Sequence, residues 1–326
     1  KLERSLEIQW NTRLAEVREA VRNATPAIMG RGVVQLSGYI DIFLASLLVI
    51  GAVSTLTYAL TLYLLPVSLF GMSVAAAELP ELARERSGAV DVLRSRANAG
   101  LERISFFIIP SLIGFLALGD VIVAALFQRG EFARADTLWV YATLAALALG
   151  LLPSTWSRLF SSTYFALRDT KTPARYAATR VALSAVLGIV LMLQFEPVSA
   201  GWLQLPAGGL HGVRVAGHPL GVVGLALAAG IAAWIEWWLL RRALVPRVGR
   251  VGARLGVLAR MFGAALLAAA AAWGVRWLLP VTHPVYAAVA VLGVYGLVYF
   301  GAGAALGLGE AAAFFSRALR MVRRGG

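Results

Sequence analysis

Eight stretches of the chain stay apolar for about twenty residues or more: 26–51, 53–80, 101–119, 137–160, 174–194, 219–240, 257–279 and 284–307. About twenty such residues wound as α-helix cross the hydrocarbon of a bilayer. The pattern therefore predicts an all-α, polytopic membrane bundle of eight transmembrane helices. Ahead of them, residues 1–25 are polar, with Leu2, Leu6, Ile8, Leu14, Val17 and Val21 spaced for one face of an amphipathic helix on the membrane surface. Three regions follow: 1–25 as a cytoplasmic connecting helix, 26–240 as a six-helix lobe, and 241–326 as two more helices with a basic tail.

Composition sharpens this reading. The chain is 59% hydrophobic and 14% charged, with a mean hydropathy of +0.75, more apolar surface than a soluble domain of 326 residues hides. There is no cysteine, so disulfides and thiolate metal sites are excluded. The chain opens on Lys1 without a signal peptide and reads as part of something longer. Its net charge of +13 suggests nucleic acid, but the basic residues alternate with topology instead. Segments 1–25, 81–103, 168–180, 241–260 and 317–324 hold 24 Lys/Arg, and the alternate connections hold four: Arg129, Arg134, Arg214 and Arg276. The positive-inside rule then places both ends in the cytoplasm.

Three predicted helices carry an internal proline followed by serine: Pro66 with Ser68, Pro110 with Ser111, and Pro153 with Ser154. Each proline frees a carbonyl one turn earlier, which a hydroxyl or a neighbouring helix can satisfy. Ordinary packing and hinges for an alternately opening cavity both fit. The last two helices hold no acidic residue and read as an appended, lipid-facing pair, with Gly303 and Gly307 as a small-xxx-small contact.

Chemistry is sparse. HExxH, GxSxG, P-loop and GxGxxG motifs are missing, so the chain does not read as an enzyme. His211, His218 and His283 fall in predicted outside loops as solvated residues without metal-ligand spacing. The informative residues are the charges inside apolar runs, which cost about 2.5–3.5 kcal/mol each at the centre of a bilayer helix. On the first helix Arg31, Gln35 and Gly38 share a narrow polar stripe with Asp41 on its flank. Asp41 is either locked to an Arg of the bundle or part of an ion or proton site. Arg158, deep in the fourth helix beside Trp156, either snorkels or binds an anionic phosphate through its fork of donors. Glu236, in "WIEWWLLRR", lies within reach of Arg241 and Arg242, and the tryptophans around it read as interfacial anchors.

The stretch from Pro26 to Ala83, with Gln35, Asp41, Ala45-Ser46, Gly51, Ser54, Tyr58-Ala59, Leu65-Pro66 and Leu79-Pro80 in order, resembles the start of the second lobe of the MurJ (MviN) lipid II flippases. "LFQRGEFARAD" (126–136), "YFALRDTKTP" (164–173) and "GVVGLALA" (221–228) are similar to later motifs of that family, in family order. The resemblance implies the second six-helix lobe of a transporter of the MOP superfamily plus its two extra helices, seven to fourteen of about fourteen. It implies an inner-membrane protein that moves undecaprenyl-pyrophosphate-linked glycopeptide to the outer leaflet, together with membrane lipids and a missing N-terminal lobe as partners. No nucleic acid and no cofactor are implied beyond proton or sodium coupling.

Within that resemblance Asp41 and Arg158 match family positions, and Arg31, Gln35 and Thr61 join them along the cavity wall. Thr61 stands where the family usually has Arg. Gly188 and Ala229 stand where some members place further cation ligands, so a complete sodium site is not expected. Pro66, Pro110 and Pro153 are the candidate hinges. Two alternatives stay open: a related exporter of another polyprenyl-linked glycan, and a non-transporting membrane scaffold.

Overall fold

The computed structural model describes residues 36–72, 90–200, 203–278 and 283–311. Of the first apolar run it describes the part from Leu36, where α1 (Leu36–Ser46) precedes a tight turn. At the turn Gly51 takes φ +96°, a left-handed conformation that glycine adopts without a Cβ clash. The remaining helices are α2 (Ala52–Pro66), α3 (Val90–Phe127), α4 (Arg134–Ala148), α5 (Leu151–Ala166), α6 (Lys171–Phe195), α7 (Gly221–Val248), α8 (Leu255–Leu278) and α9 (Pro284–Ala305). Between α6 and α7 the chain forms two small antiparallel hairpins, Val198–Ala200 with Leu203–Leu205 and Arg214–Val215 with His218–Pro219.

Six helices are long and apolar enough to cross a membrane, and a seventh span arises if α4 and α5, bent by 41°, count as one. The predicted eight is therefore not reached among the described residues; α1 is shorter than a span there. The bend has a local cause. A Cβ on Gly150 would lie 2.9 Å from the Gly230 Cα of α7, so the chain turns where two backbones touch. Pro153 then sits in the first turn of α5, not inside a continuous helix as the sequence suggested. A proline there forfeits no obligatory helical bond.

The three prolines are accommodated differently. Pro66 ends α2, and the chain continues as a π-helical turn, Val67–Met72, with the Ser68 hydroxyl donating to the Leu64 carbonyl at 2.8 Å. Pro110 frees the Phe106 carbonyl of α3, which accepts the Tyr299 hydroxyl of α9 at 2.6 Å. One turn on, the Pro110 carbonyl accepts from Tyr295 at 2.7 Å. Pro153 frees the Leu149 carbonyl, which accepts the Trp234 indole N–H of α7 at 3.0 Å.

Helix α3 is the spine, with Ile104, Phe106, Ile108, Ile109 and Leu118 fully buried. Along one stripe it is bonded to the C-terminal pair. Asn98 accepts the Gly252 N–H, Glu102 pairs with Arg254 at 2.8 Å, and the Ala117 carbonyl accepts from Trp273 at 2.9 Å. At the far end Asp120 accepts both Arg276 donors at 3.1 and 2.8 Å, and Arg134 at 3.0 Å. Spacings of three and four residues keep all these groups on one face. The pair does turn Leu266, Leu267, Val289 and Leu297 outward, as a lipid-facing unit requires, yet its inner face carries polar fasteners the sequence did not suggest. Gly307 lies past the end of α9 at φ +69°, so it forms no helix-face pair with Gly303.

Candidate functional site

Four charged side chains from four helices share one electrostatic neighbourhood. Arg180, on α6, lies roughly 14 Å along the helix axis from Lys171, and its Nη1 donates to Glu236 Oε2 of α7 at 3.3 Å. Arg180 lies well inside α6 and not at the loop end where its segment was counted, and Glu236, expected within reach of Arg241 and Arg242, bonds Arg180 instead with its side chain 8% exposed. Asp41, on α1, is half-buried and within Coulombic reach of Arg180, but its Oδ1 is buried without a hydrogen-bond partner. Arg158, on α5, is half-buried in the field of Glu236, Arg180 and Tyr63, and its guanidinium makes no hydrogen bond or ion pair among the described residues. Two guanidiniums face two carboxylates, and only one contact is closed.

Local structure explains the placement. The Tyr63 hydroxyl of α2 donates to Ser154 Oγ at 3.1 Å, tying α2 to α5 one turn from Arg158. Trp156 turns its indole N–H to Ser105 of α3 at 3.0 Å, so it anchors α5 from the other side. At the turn between α5 and α6, Asp169 accepts the N–H groups of Lys171 and Thr172 at 3.1 and 3.0 Å, and pairs with Arg247 of α7 at 2.6 Å. Burial alone would raise the Asp169 carboxyl, but hydrogen bonds from Thr172 and Arg247 outweigh it and hold it below its ordinary value. That turn fixes where α6 starts, and hence the depth of Arg180.

Leu44 lies against Gly188, and Val49 N–H donates to Glu196 Oε1 at 2.6 Å, so α1 and α6 run side by side in the same direction. Asp41 and Ser184, each about one turn earlier, then fall at one level, and Ser184 Oγ is also buried without a partner. A hard cation gathers six or so oxygens. Here Gly188 and Ala229 supply no side-chain oxygen, Leu44 and Leu225 fill the space beside Gly188, and a guanidinium is already in reach. Among the described residues no three His, Asp or Glu side chains group as metal ligands. The set does not fit a sodium site.

Of the other predicted site residues, Arg31 and Gln35 lie outside the described residues. Thr61 is exposed on α2 with its hydroxyl donating to the Thr57 carbonyl at 2.8 Å. His218 is not simply solvated: its ring stacks on Trp139 at 4.4 Å and lies 3.7 Å from Asp136. Ser184 and Arg180 are the residues the sequence reading passed over. Arg180 lay six residues inside its own apolar run, and that depth was the available signal.

A family model described as Lipid II flippase MurJ matches residues 1–292. The chain belongs to that family. It is 32% identical over 314 residues to a probable lipid II flippase MurJ of Rhizobium meliloti (strain 1021), covering 93% of this chain and 53% of the relative. It is 30% identical over 220 residues to a protein of the same description from Vibrio cholerae, covering 67% and 37%. The chain thus spans about half the length, or less, of the curated relatives it matches. A solved structure titled lipid II flippase MurJ, inward closed conformation, superposes with a TM-score of 0.68 at 22% identity, over 97% of this chain and 58% of that one. That likeness carries the fold. The family is one of transporters and not of enzymes, and this chain is a multi-pass membrane protein of it.

Proposed function

We propose that the chain is the second lobe, with the two extra helices, of a flippase that carries lipid II from the cytoplasmic to the outer leaflet by alternating access. Its partners in this reading are a first lobe, as relatives of about twice the length suggest, the undecaprenyl-pyrophosphate-linked glycopeptide, and the surrounding lipids. Both ends face the cytoplasm of the inner membrane, supported by the 24-to-4 partition of basic residues.

One observation carries the reading: the Arg158 guanidinium stands inside an apolar bundle without a bonded carboxylate among the described residues. A guanidinium held that way costs free energy unless an anion completes it. A pyrophosphate does so through paired, charge-assisted hydrogen bonds. An inside-negative potential favours outward anion movement by about 2.3 kcal/mol per charge per 100 mV, so no nucleotide site is required. Arg180, bonded to Glu236 and within reach of Asp41, is the two-state element. Passing from the carboxylate of α7 to that of α1 exchanges one closed contact for another and biases the bundle between two arrangements. In this reading a proton on Asp41, or Arg180 itself, takes the place of a bound sodium ion.

The test is complementation of a flippase-depleted strain by the full-length protein. Arg158→Ala is expected to lose it and Arg158→Lys to retain part. Full activity of Arg158→Ala at equal expression overturns the anion role. Sodium-dependent activity that disappears in both Asp41→Asn and Asp41→Ala overturns the preference against a metal ion.

A further inference from the structure

At the Arg-rich end of α7 the chain builds a second cationic feature, separate from the charge cluster. Trp238, Arg241, Arg242 and Val245 share one face of the helix through three- and four-residue spacing. With Arg250 they line a groove of about 380 Å³. Gly249, at φ +82°, stops the helix and turns the chain so that Arg250 returns to the same groove.

Two of the guanidiniums are held in place. Arg241 donates from Nε to the Val251 carbonyl at 3.1 Å and lies 5.5 Å over the Trp237 ring, and Arg242 lies 5.2 Å over the Trp238 ring. None of the three meets a carboxylate among the described residues. The acids that approach this end are engaged elsewhere, Asp169 with Arg247 and Glu102 with Arg254. Three like charges crowd one groove with no carboxylate among the described residues to neutralise them, and preorganised arginines and an exposed aromatic wall are present.

We infer that this groove binds the phosphate of an anionic membrane phospholipid. The geometry selects an amphiphile over a free anion. Trp238 is half exposed one turn nearer the bilayer centre than Arg241 and Arg242, the depth at which indoles sit beneath headgroups. The phosphate then meets the guanidinium forks while the glycerol and first acyl carbons lie along Trp238. The inference needs only that this end of α7 reaches a headgroup layer; it does not depend on Arg158 or on the transported substrate.

Native mass spectrometry of the full chain in micelles supplemented with phosphatidylglycerol, phosphatidylcholine or inorganic phosphate tests it. Phosphatidylglycerol should stay bound through activation and phosphatidylcholine should not. Arg242→Gln with Arg250→Gln should lower its occupancy by about fivefold per arginine removed. The exposed Arg175→Gln on α6, equal in charge loss at one position, should leave it unchanged. Equal retention in the double variant overturns the site. So does an equal loss in Arg175→Gln, which would mean diffuse attraction, or complete displacement by millimolar inorganic phosphate, which would mean a simple anion site.

Discussion

The two polar faces of this bundle are opposites. Where α3 meets α8 and α9, each exposed carbonyl or charge named above has a partner: Phe106 with Tyr299, Pro110 with Tyr295, Ala117 with Trp273, and Asp120 with Arg276 and Arg134. Where α1, α5, α6 and α7 converge, one ion pair is closed, while Asp41 Oδ1 and Ser184 Oγ are buried without partners among the described residues. An unpaired buried polar atom costs about 1–3 kcal/mol. The first face is therefore built to stay as it is. The second keeps stored preference for a partner.

The largest effect should come from breaking the one closed contact of the open face. Glu236→Ala leaves the half-buried Arg180 with only the more distant Asp41 to answer it, and is expected to cost about 3 kcal/mol in detergent unfolding. Replacing both partners, Arg180→Met with Glu236→Leu, should restore stability to within about 1 kcal/mol of the parent or above it, yet abolish complementation. A double variant that transports normally would return the pair to simple packing.

On the closed face Asp120→Ala strands two arginines at once. Because Arg134 and Arg276 keep water contact, the expected loss is smaller, about 1.5–3 kcal/mol. Tyr299→Phe deletes one hydroxyl and leaves the Phe106 carbonyl open, for about 1–2 kcal/mol. If the face is as rigid as its bonding implies, Tyr299→Phe also speeds amide exchange on both sides of Pro110 while leaving residues near Arg158 untouched. Exchange that rises equally at both faces would erase the contrast.

The smallest effects are local and pH-dependent, with opposite signs at the two ends of α6. Burial pushes the Glu196 carboxyl above its ordinary value, against the weaker pull of the Val49 N–H and Arg214. Its contribution is complete below the usual glutamate range and is lost as pH rises through the folded value. Asp169 is held low, so its contribution is present above the usual aspartate range and is lost as pH falls through the depressed value. The free energy of unfolding should therefore fall toward alkaline pH through Glu196, and protection of the Thr172 amide should fall toward acid, after correction for intrinsic exchange. Glu196→Gln should flatten the first profile alone.

Hydrophobic runs made most of the fold legible, because a charge-free stretch of twenty residues has few alternatives to a membrane helix. Asp41 and Arg158 stood out for the same reason. Arg180 did not, since an arginine near the start of a run is indistinguishable from a snorkelling one until its partner is known. That partner, Glu236, is 56 residues away. The prolines announced open carbonyls but not the Trp234 and Tyr299 donors that answer them. The bend between α4 and α5 depends on Gly150 meeting Gly230, a contact between helices that no window along the chain contains.

The bond from Tyr299 to Phe106 spans 193 positions of sequence. During synthesis at about 5–20 residues per second, α3 enters the bilayer roughly 10–40 seconds before its donor exists. Over that interval the Phe106 carbonyl has to be served by water, by another helix or by the insertion machinery. Biogenesis of this bundle is then a matter of timing as well as of energy: a ribosome that stalls before α9 leaves an unfinished spine in the membrane, recognisable to quality control by one bare carbonyl at the middle of its longest helix.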